Sequence, residues 1–374
     1  MNIHYFPIII GFLFFSCNES KQGILPEIPV DTNQNASLPL SEITEELVAI
    51  ELELTDESFI NTDYIVRIIV SEDEVIVAEL NKILVFSKDG KFIRSIGSRG
   101  QGPGEYNYIQ NLAIDKKSQC LFIINSAPGK IICYDLNGKY LKESHKPIQS
   151  AGLTALIDIN YIKDELLLVV EQENGDFTKG LNLHSAVYQL NDNLQVIDST
   201  TIRNIYLENL NLLTSLYMNR DFMLHGGTSD YLYYGDFYTT QDNSEQRALC
   251  DTLYRFEDNH LVPDLKLKFK NNGMDGSGNK LIYLFNIYRS SRYIFSCYKN
   301  NQNKNIYYFC YDTKTGKGYN MQDGYMDDIN QIEERISIRP FNFDTEMFYY
   351  LHTHQHPDDL EEPNPTLYIG KLKK

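Results

Sequence analysis

Tryptophan and positive charge are what this sequence most lacks. None of the 374 residues is Trp, and 34 Lys and Arg stand against 51 Asp and Glu, a formal net charge of −17. Nucleic-acid binding requires clustered Lys and Arg to contact phosphates, so nucleic acid is not an expected partner and anionic membrane surfaces are disfavoured. Trp is enriched at binding hot spots, so its absence also argues against a lectin. The charge favours cationic ligands instead.

Sequence motifs of common hydrolases and metal proteins are also missing. The chain has no G-x-S-x-G, no H-E-x-x-H and no Ser-His-Asp arrangement that can be placed. Its acidic clusters lack the spaced oxygen ligands of an EF-hand, and its cysteines lack the CxxC spacing of zinc sites. The sequence therefore favours a binding protein over an enzyme. It predicts no cofactor, with a divalent metal as the alternative.

Long apolar runs are confined to the N-terminus. Phe6–Phe15 supplies ten residues, too few to span a bilayer but enough for the apolar part of a secretory signal. The run ends at Ser16-Cys17, and this order of apolar, small and Cys residues resembles a bacterial lipobox. The resemblance implies that residues 1–16 are a signal peptide and that Cys17 is diacylated. Residues 1–5 lack the expected Lys or Arg, and a buried first strand is the alternative.

The segment after Cys17 is expected to be a tether. Residues 17–40 contain three prolines, many polar residues and little periodicity, which is typical of a flexible linker. The folded domain is accordingly placed at residues 41–374.

A strand-turn-strand unit recurs along this domain. Residues 83–94 and 131–142 align in their apolar, aromatic and turn positions, with Asp89-Gly90 in the first unit and Asn137-Gly138 in the second. Such dipeptides between alternating apolar residues predict β-hairpins with type I′ turns. Weaker copies continue the series, whose aromatic anchors are Phe86, Tyr134, Tyr188, Tyr254 and Tyr311.

The spacing of these anchors predicts the fold. It averages about 56 residues, which suits one four-stranded propeller blade, so the domain holds about six blades. The alternating residues 50–54 have no earlier partner strand, whereas 343–351 and 366–372 belong to the last blade. We therefore predict an all-β six-bladed β-propeller of four-stranded antiparallel blades, its ring closed by the N-terminal strand. A pair of β-sandwiches is the competing fold, and residues 199–230 are expected to form a long loop or a helical insertion.

Residues 96–106 form the most distinctive segment. They lack Gly-Lys-Ser/Thr and a following helix, so a phosphate-binding loop is disfavoured, and a tight crossing between neighbouring blades is the simpler interpretation. The pattern G-x-x-G-x-G-P-G-E-[YF] resembles the blade junction of the NHL-like six-bladed β-propeller lipoproteins of Bacteroidetes. This resemblance covers roughly residues 40–374; it implies the fold and the compartment but supplies no catalytic motif. The matching residues are Gly97, Gly100, Gly102, Pro103, Gly104, Glu105 and Tyr106.

Two arginines are candidates for ligand binding in the central channel. Arg67 interrupts an otherwise apolar strand at 64–70, and Arg339 lies at the start of the last blade. First strands of propeller blades line the channel, so either guanidinium could meet an anionic ligand there. An internal ion pair with one of the many carboxylates is the alternative for both.

Three alternating histidines form a candidate metal site. His352, His354 and His356 would lie on one face of a strand, and imidazoles bind zinc or copper. Alternate residues of a strand are about 6.5–7 Å apart, so three successive ligands would require a curled backbone. A solvated loop is therefore the simpler interpretation.

The remaining cysteines form two pairs of equal spacing. Cys120 and Cys133, like Cys297 and Cys310, are separated by 13 positions and flank a predicted hairpin turn. Each pair is expected nearly opposite on neighbouring strands, as buried free thiols. Disulfides are the alternative in an exported protein.

These observations favour a monomeric lipoprotein of the cell envelope, anchored in the membrane by lipid at Cys17. The outer membrane is the expected location, with its periplasmic and surface faces both open. The propeller would bind an unidentified protein, peptide or glycan. The alternative function is a metal-dependent hydrolase or lactonase that uses the central channel.

Overall fold

The chain folds into six β-sheets arranged as the blades of a propeller in a computed structural model. The structure describes residues 25–125, 129–145, 147–148, 153–176, 180–207, 231–233, 251–257, 260–276, 281–341, 346–354 and 363–374. The predicted all-β fold is confirmed. No helix in these ranges is long and apolar enough to cross a membrane.

The described chain starts with a segment that precedes the first complete blade. It contains β1 (Glu27–Val30), α1 (Leu40–Ile43) and β2 (Thr44–Glu51). The prediction of a flexible tether is wrong from residue 25 onward. Ile28, Val30 and Leu38 are buried against the blades, and this burial is the physical reason that the segment is folded.

Blades 1, 2 and 3 are antiparallel meanders in which each strand pairs with the next. Residues 199–207, expected in a loop or helical insertion, belong to the last strand of blade 3; 208–230 lie outside the described residues. Blade 1 has strands β3 (Ile65–Val70), β4 (Glu74–Glu79), β5 (Ile83–Ser87) and β6 (Phe92–Ser95), followed by the short parallel pair β7 (Ser98–Arg99) and β8 (Glu105–Tyr106). Blade 2 has β9 (Ile109–Asp115), β10 (Cys120–Asn125), β11 (Lys130–Asp135) and β12 (Tyr140–His145), and blade 3 has β13 (Leu153–Ile162), β14 (Glu165–Asp176), β15 (Gly180–Leu190) and β16 (Val196–Leu207).

Blades 4 to 6 complete the ring, and a separate hairpin lies between blades 5 and 6 in the chain. Blade 4 includes β17 (Tyr231–Leu232), β18 (Thr252–Glu257) and β19 (His260–Phe269). Blade 5 consists of β20 (Ile282–Arg289), β21 (Tyr293–Asn300), β22 (Ile306–Asp312) and β23 (Lys317–Gln322). The hairpin is β24 (Tyr325–Asp327) with β25 (Ile332–Ile336), and blade 6 contains β26 (Arg339–Pro340), β27 (Met347–His352) and β28 (Thr366–Leu372).

The ring is closed by β2, which pairs antiparallel with β28 as the outermost strand of blade 6. Ile50 of the predicted closing strand lies opposite Leu367. Asn364 reinforces the closure because its Oδ1 accepts a hydrogen bond from Ile60 N at 2.7 Å and its Nδ2 donates to Ser58 O at 2.8 Å. The predicted closure by the N-terminal strand is therefore confirmed.

The segment before β2 runs along the rim of the ring. β1 pairs in parallel with β19 of blade 4. Ala36 N then donates to Asn320 O of blade 5 at 2.8 Å, and Ser41 N donates to Asp328 Oδ1 beside β24 at 3.0 Å. The N-terminal segment thus contacts blades 4 and 5 before it completes blade 6.

Apolar cores fill the gaps between neighbouring blades. Six clusters of buried side chains are found among the described residues, one in each gap of the ring. Alternate residues of a strand point to opposite faces, so Ile76 of β4 faces blade 2 while Val75 and Val77 face blade 6. This burial on both faces explains why the central strands read as nearly continuous apolar runs.

The two strongest hairpin signals are correct in position but wrong in turn type. Gly90 and Gly138 have φ values of +79° and +89°, whereas Asp89 and Asn137 do not have positive φ. A type I′ turn requires positive φ at both central residues. The first hairpin instead has a longer turn, with Gly90 N donating to Ser87 O at 3.0 Å.

Candidate functional site

The first strands of four blades share a bulge that is followed by a polar residue. The pairing register shifts by one residue in β3, β9, β13 and β20. A bulge re-aims the side chain beside it. The polar residues directly after these shifts are Arg67, Asn111, Asp158 and Asn286.

Arg67 of blade 1 reaches across to blades 2 and 3. Its Nη1 donates to Leu112 O at 2.8 Å, to Asn111 Oδ1 at 3.3 Å and to Ile159 O at 3.3 Å, while its Nη2 donates to Asn160 Oδ1 at 3.1 Å. One guanidinium therefore joins the first strands of three consecutive blades.

The carboxylate nearest to this guanidinium is that of Asp158, whose side chain is only 2% exposed. Asp158 Oδ1 lies 3.9 Å from Arg67 Nη1. The carboxylate also accepts hydrogen bonds from Asn111 Nδ2 at 2.5 Å, from Asn160 Nδ2 at 2.8 Å and from Ile159 N at 2.8 Å. Neutral donors thus supply most of the short contacts that stabilise this buried charge.

Arg67 forms an internal ion pair, one of the two alternatives that the sequence leaves open for this residue. The guanidinium has an internal carboxylate partner, and its hydrogen bonds are made to oxygens of blades 2 and 3. Asn111, Asp158 and Asn160 are not identified from the sequence. Each is a polar residue within an apolar strand, which is the signal that identifies Arg67.

Arg339 is on a different blade from Arg67. It lies in β26, the first strand of blade 6, where its side chain is half-buried. Arg67 and Arg339 are therefore not brought together into one anion site by the contacts that the structure describes.

Two of the three candidate histidines are neighbours, and His356 lies outside the described residues. The rings of His352 and His354 are 4.4 Å apart between centroids. Their Nε2 atoms have different partners, Glu334 Oε2 at 3.3 Å and the Tyr368 hydroxyl at 2.8 Å. In the part of the chain that the structure describes, no three His, Cys, Asp or Glu side chains are grouped to hold a metal.

The glycine-rich segment is a structural junction between blades 1 and 2. Gly102 N donates to Glu105 Oε2 at 2.8 Å, and the Tyr106 hydroxyl donates to Ile96 O at 2.7 Å. Gly104 has φ +70°, and a Cβ there would lie 2.6 Å from the Tyr140 ring. This agrees with a tight crossing from β6 to β9.

The described cysteines are free thiols. Cys133, Cys297 and Cys310 are buried, and Cys120 is partly exposed. Burial raises the pKa of the Cys133 thiol to about 12, and the neighbouring Cys120 adds to this rise. Cys17, the expected lipid attachment site, lies outside the described residues.

A rigid exposed loop lies where the chain enters blade 1. We call residues 52–64 the entry loop. Its conformation is fixed from within, since Ser58 Oγ donates to Glu53 O at 2.7 Å and Asn61 Oδ1 accepts from Asp63 N at 3.1 Å. Asn364 of blade 6 binds the same loop.

The entry loop exposes both aromatic and acidic side chains. Phe59 and Tyr64 are 40% and 46% exposed, and Tyr64 directly precedes the channel-lining strand β3. Asp56, Glu57 and Asp63 are exposed on the same loop. The binding character of this surface is not identified from the sequence.

Lys82 and Glu79 support the entry loop from beneath. Lys82 Nζ donates to Phe59 O and lies 5.6 Å from the centre of the Phe59 ring. It also lies 3.3 Å from Glu79 Oε1, which accepts a hydrogen bond from Asn61 N at 3.2 Å. Burial raises the pKa of the Glu79 carboxyl, against the lowering effect of Lys82. Because Lys82 is paired with Glu79, the exposed loop carboxylates keep their net negative charge.

The fold and these sites define a β-propeller with a polar channel network and an exposed entry loop. The model of the family described as "Domain of unknown function (DUF4934)" matches residues 25–373, so the chain belongs to this family. No curated protein sequence matches the chain.

The chain is also similar to solved structures. A Bacteroides fragilis protein inferred to be exported is similar with a TM-score of 0.57 and 19% identity, over 93% of this chain and 99% of that chain. This likeness shows the fold. The Neurospora crassa Pan2 WD40 domain has a TM-score of 0.41 and 12% identity over 83% and 76% of the two chains. A Xanthomonas campestris gluconolactonase has a TM-score of 0.39 and 11% identity over 80% and 82%. The last two similarities are too weak to inform function.

Proposed function

We propose that this protein is an exported lipoprotein whose propeller binds a basic segment of a protein partner at the entry loop. The observation that carries the binding role is a hydrogen-bonded loop that exposes two aromatic rings and three carboxylates. The N-terminal signal pattern supports export, and Ser16-Cys17 supports lipid attachment at Cys17. The resemblance of residues 96–106 to NHL-like lipoproteins of Bacteroidetes supports an anchor in the outer membrane.

The chemistry of the entry loop fits Lys and Arg side chains. An exposed aromatic face attracts a cation by about 0.5–1 kcal/mol. Tyr64 supplies such a face, whereas the Lys82 ammonium already lies 5.6 Å from the centre of the Phe59 ring. Asp56, Glu57 and Asp63 add ion pairs of about 0.2–1 kcal/mol each. The net charge of −17 steers a basic partner toward the protein.

Preorganisation strengthens this surface. Hydrogen bonds within the entry loop and with Asn364 hold the loop in place, so it does not have to become ordered when a partner binds. A rigid binding surface avoids part of the entropy cost of association. This argument favours a binding function for the loop over a role as a simple connection.

A charge-matched pair of variants tests the proposal. Strands alternate in direction, so the turn at 71–73 lies at the end of β3 away from the entry loop, and the turn at 191–195 between β15 and β16 belongs to blade 3. The site variant is Asp56→Asn/Glu57→Gln/Asp63→Asn. The control variant is Glu72→Gln/Asp73→Asn/Asp192→Asn, which removes the same charge from exposed positions away from the entry loop.

Binding of a fluorescent Lys- and Arg-rich decapeptide is measured by anisotropy. We expect the site variant to weaken binding about tenfold, because three lost ion pairs amount to about 1.4 kcal/mol. The control variant should weaken it less than twofold. Equal weakening by both variants would show that the peptide responds only to net charge, which rejects the entry loop as the site.

The lipid anchor is tested separately. The variant Cys17→Ala should move the protein from the membrane fraction to the soluble fraction of envelope preparations. Unchanged fractionation contradicts lipidation. The alternative metal-dependent hydrolase has no supporting observation in the described residues; metal that is retained after dialysis, with activity lost on chelation, would favour it.

A further inference from the structure

The chain joins the propeller at one place on its rim. Leu25 is the first described residue, and Pro26 O accepts a hydrogen bond from Lys266 N at 2.9 Å. β1 then extends the sheet of blade 4 beyond β19. The N-terminal end of the described chain therefore lies at the outer edge of blade 4, beside the middle of β19.

The chain between the lipid site and this edge is short. Cys17 precedes Leu25 by eight residues. An extended chain spans at most about 3.6 Å per residue, so Cys17 cannot lie farther than about 29 Å from Leu25. Neighbouring strands are about 4.8 Å apart, so two opposite blades and the channel between them separate the rims of blades 4 and 1 by about 40 Å.

We propose that the outer edge of blade 4 is the side of the propeller that faces the membrane. The inference rests on the proposed lipid anchor at Cys17. A short connection to the rim of blade 4 holds that rim near the lipid surface, while the rim of blade 1 is the most distant part of the ring.

Lysines at this edge support the proposal that it faces a lipid surface. Lys266, Lys268 and Lys270 alternate along the end of β19 with the buried Leu267 and Phe269. A Lys near an anionic lipid surface contributes about 1 kcal/mol. The whole chain is strongly acidic, so this edge differs in charge from the average of the protein.

Two of these lysines have acidic partners at the same edge. Lys266 Nζ lies 3.3 Å from Asp251 Oδ2, and Lys268 pairs with Glu27 of β1. Lys270 is exposed and has no ion pair among the described residues. The net attraction is therefore modest, and the short connection to Cys17 is the main cause of the orientation.

The orientation is tested with two matched fluorophore positions. Val262 and Ile93 are exposed aliphatic residues on outer strands of blades 4 and 1, at 37% and 45% exposure. Each is replaced in turn by a bio-orthogonally labelled residue in the full-length lipoprotein. The protein is reconstituted into vesicles of phosphatidylethanolamine and phosphatidylglycerol that carry a headgroup energy acceptor.

We expect energy transfer from position 262 to be at least twice that from position 93. Inserting 20 Gly and Ser residues before Leu25 should remove most of this difference, because a flexible linker lets the ring rotate. The variant Lys266→Gln/Lys268→Gln/Lys270→Gln should reduce the difference only in part.

Two negative results are distinguishable. Equal transfer from both positions, with acylated Cys17 confirmed by mass spectrometry, overturns the orientation and leaves the anchor intact. An N-terminus that is not acylated overturns the proposed anchor and the orientation with it.

Discussion

The variant Arg67→Met tests the channel network most directly. At 3.9 Å and an effective dielectric constant of 20, the attraction between Arg67 and Asp158 is about 4 kcal/mol. Desolvation of both groups offsets much of this attraction, so the net contribution of the pair is small. Removing only the guanidinium is different, because it leaves a carboxylate that is 2% exposed without its cation.

We expect Arg67→Met to lower the free energy of unfolding by about 3 kcal/mol. Breaking a buried ion pair costs about 3–5 kcal/mol. The lower end applies here because three neutral donors still bind the Asp158 carboxylate at 2.5–2.8 Å. Urea unfolding at pH 7, followed by far-UV circular dichroism, gives this value from the midpoint and slope.

A double-mutant cycle separates the pair from general disruption of the channel. Asp158→Asn removes the buried charge, so Arg67→Met/Asp158→Asn should be more stable than the sum of the single effects predicts, by at least 1 kcal/mol. The control is Lys91→Met, which breaks an exposed ion pair with Glu53 and should cost less than about 1 kcal/mol. Additive effects at Arg67 and Asp158 would refute the reasoning.

Three further variants test the ring and its junctions. Gly104→Ala should destabilise the protein by about 2 kcal/mol or more in urea unfolding, because φ is +70° and an aromatic ring is too close. Asn364→Ala should cost about 1–3 kcal/mol because it leaves Ile60 N unpaired. Arg292 lowers the pKa of Asp312 from 3.8 to about 2, so Asp312→Asn should cost about 2 kcal/mol at pH 7.

Each of these variants has its own check. Gly276→Ala is the control for Gly104, since a Cβ at Gly276 meets no atom within 4 Å; equal effects contradict the argument. Asn364→Asp keeps the acceptor for Ile60 N but turns a carboxylate oxygen toward the Ser58 carbonyl oxygen, so it should be no milder than alanine. The stability that Asp312 supplies is complete above pH 3.8 and is lost toward pH 2, so a difference between the wild type and Asp312→Asn that does not shrink in this range is inconsistent with the lowered pKa.

The sequence predicts the ring because its signals are local. Gly90 and Gly138 identify hairpins, since a positive φ is a property of a few consecutive residues. The alternation around Ile50 identifies an unpaired strand, and a closed ring supplies its partner. The turn type is wrong because Asp89 and Asn137 also suit a longer hairpin turn, in which only the following glycine has a positive φ.

The channel network could not be predicted from these signals. Arg67 is separated by 91 positions from Asp158, and each lies in an apolar strand that reads as ordinary core. Their approach depends on how three blades are rotated about one axis. The sequence therefore leaves both alternatives for Arg67 open, an anionic ligand and an internal carboxylate, and does not identify Asp158 as its partner.

β1 is another element that the sequence alone does not predict. Ile28 and Val30 alternate over only four residues beside two prolines, a pattern typical of a linker. The free edge of blade 4 makes this segment a strand, because it supplies backbone partners that the segment itself lacks. The sequence alone determined the propeller, its hairpins and its closing strand, since periodicity and turn chemistry act over short distances. Only the tertiary structure decided which polar groups meet in the channel and where the N-terminal chain joins the rim, because both depend on the arrangement of whole blades.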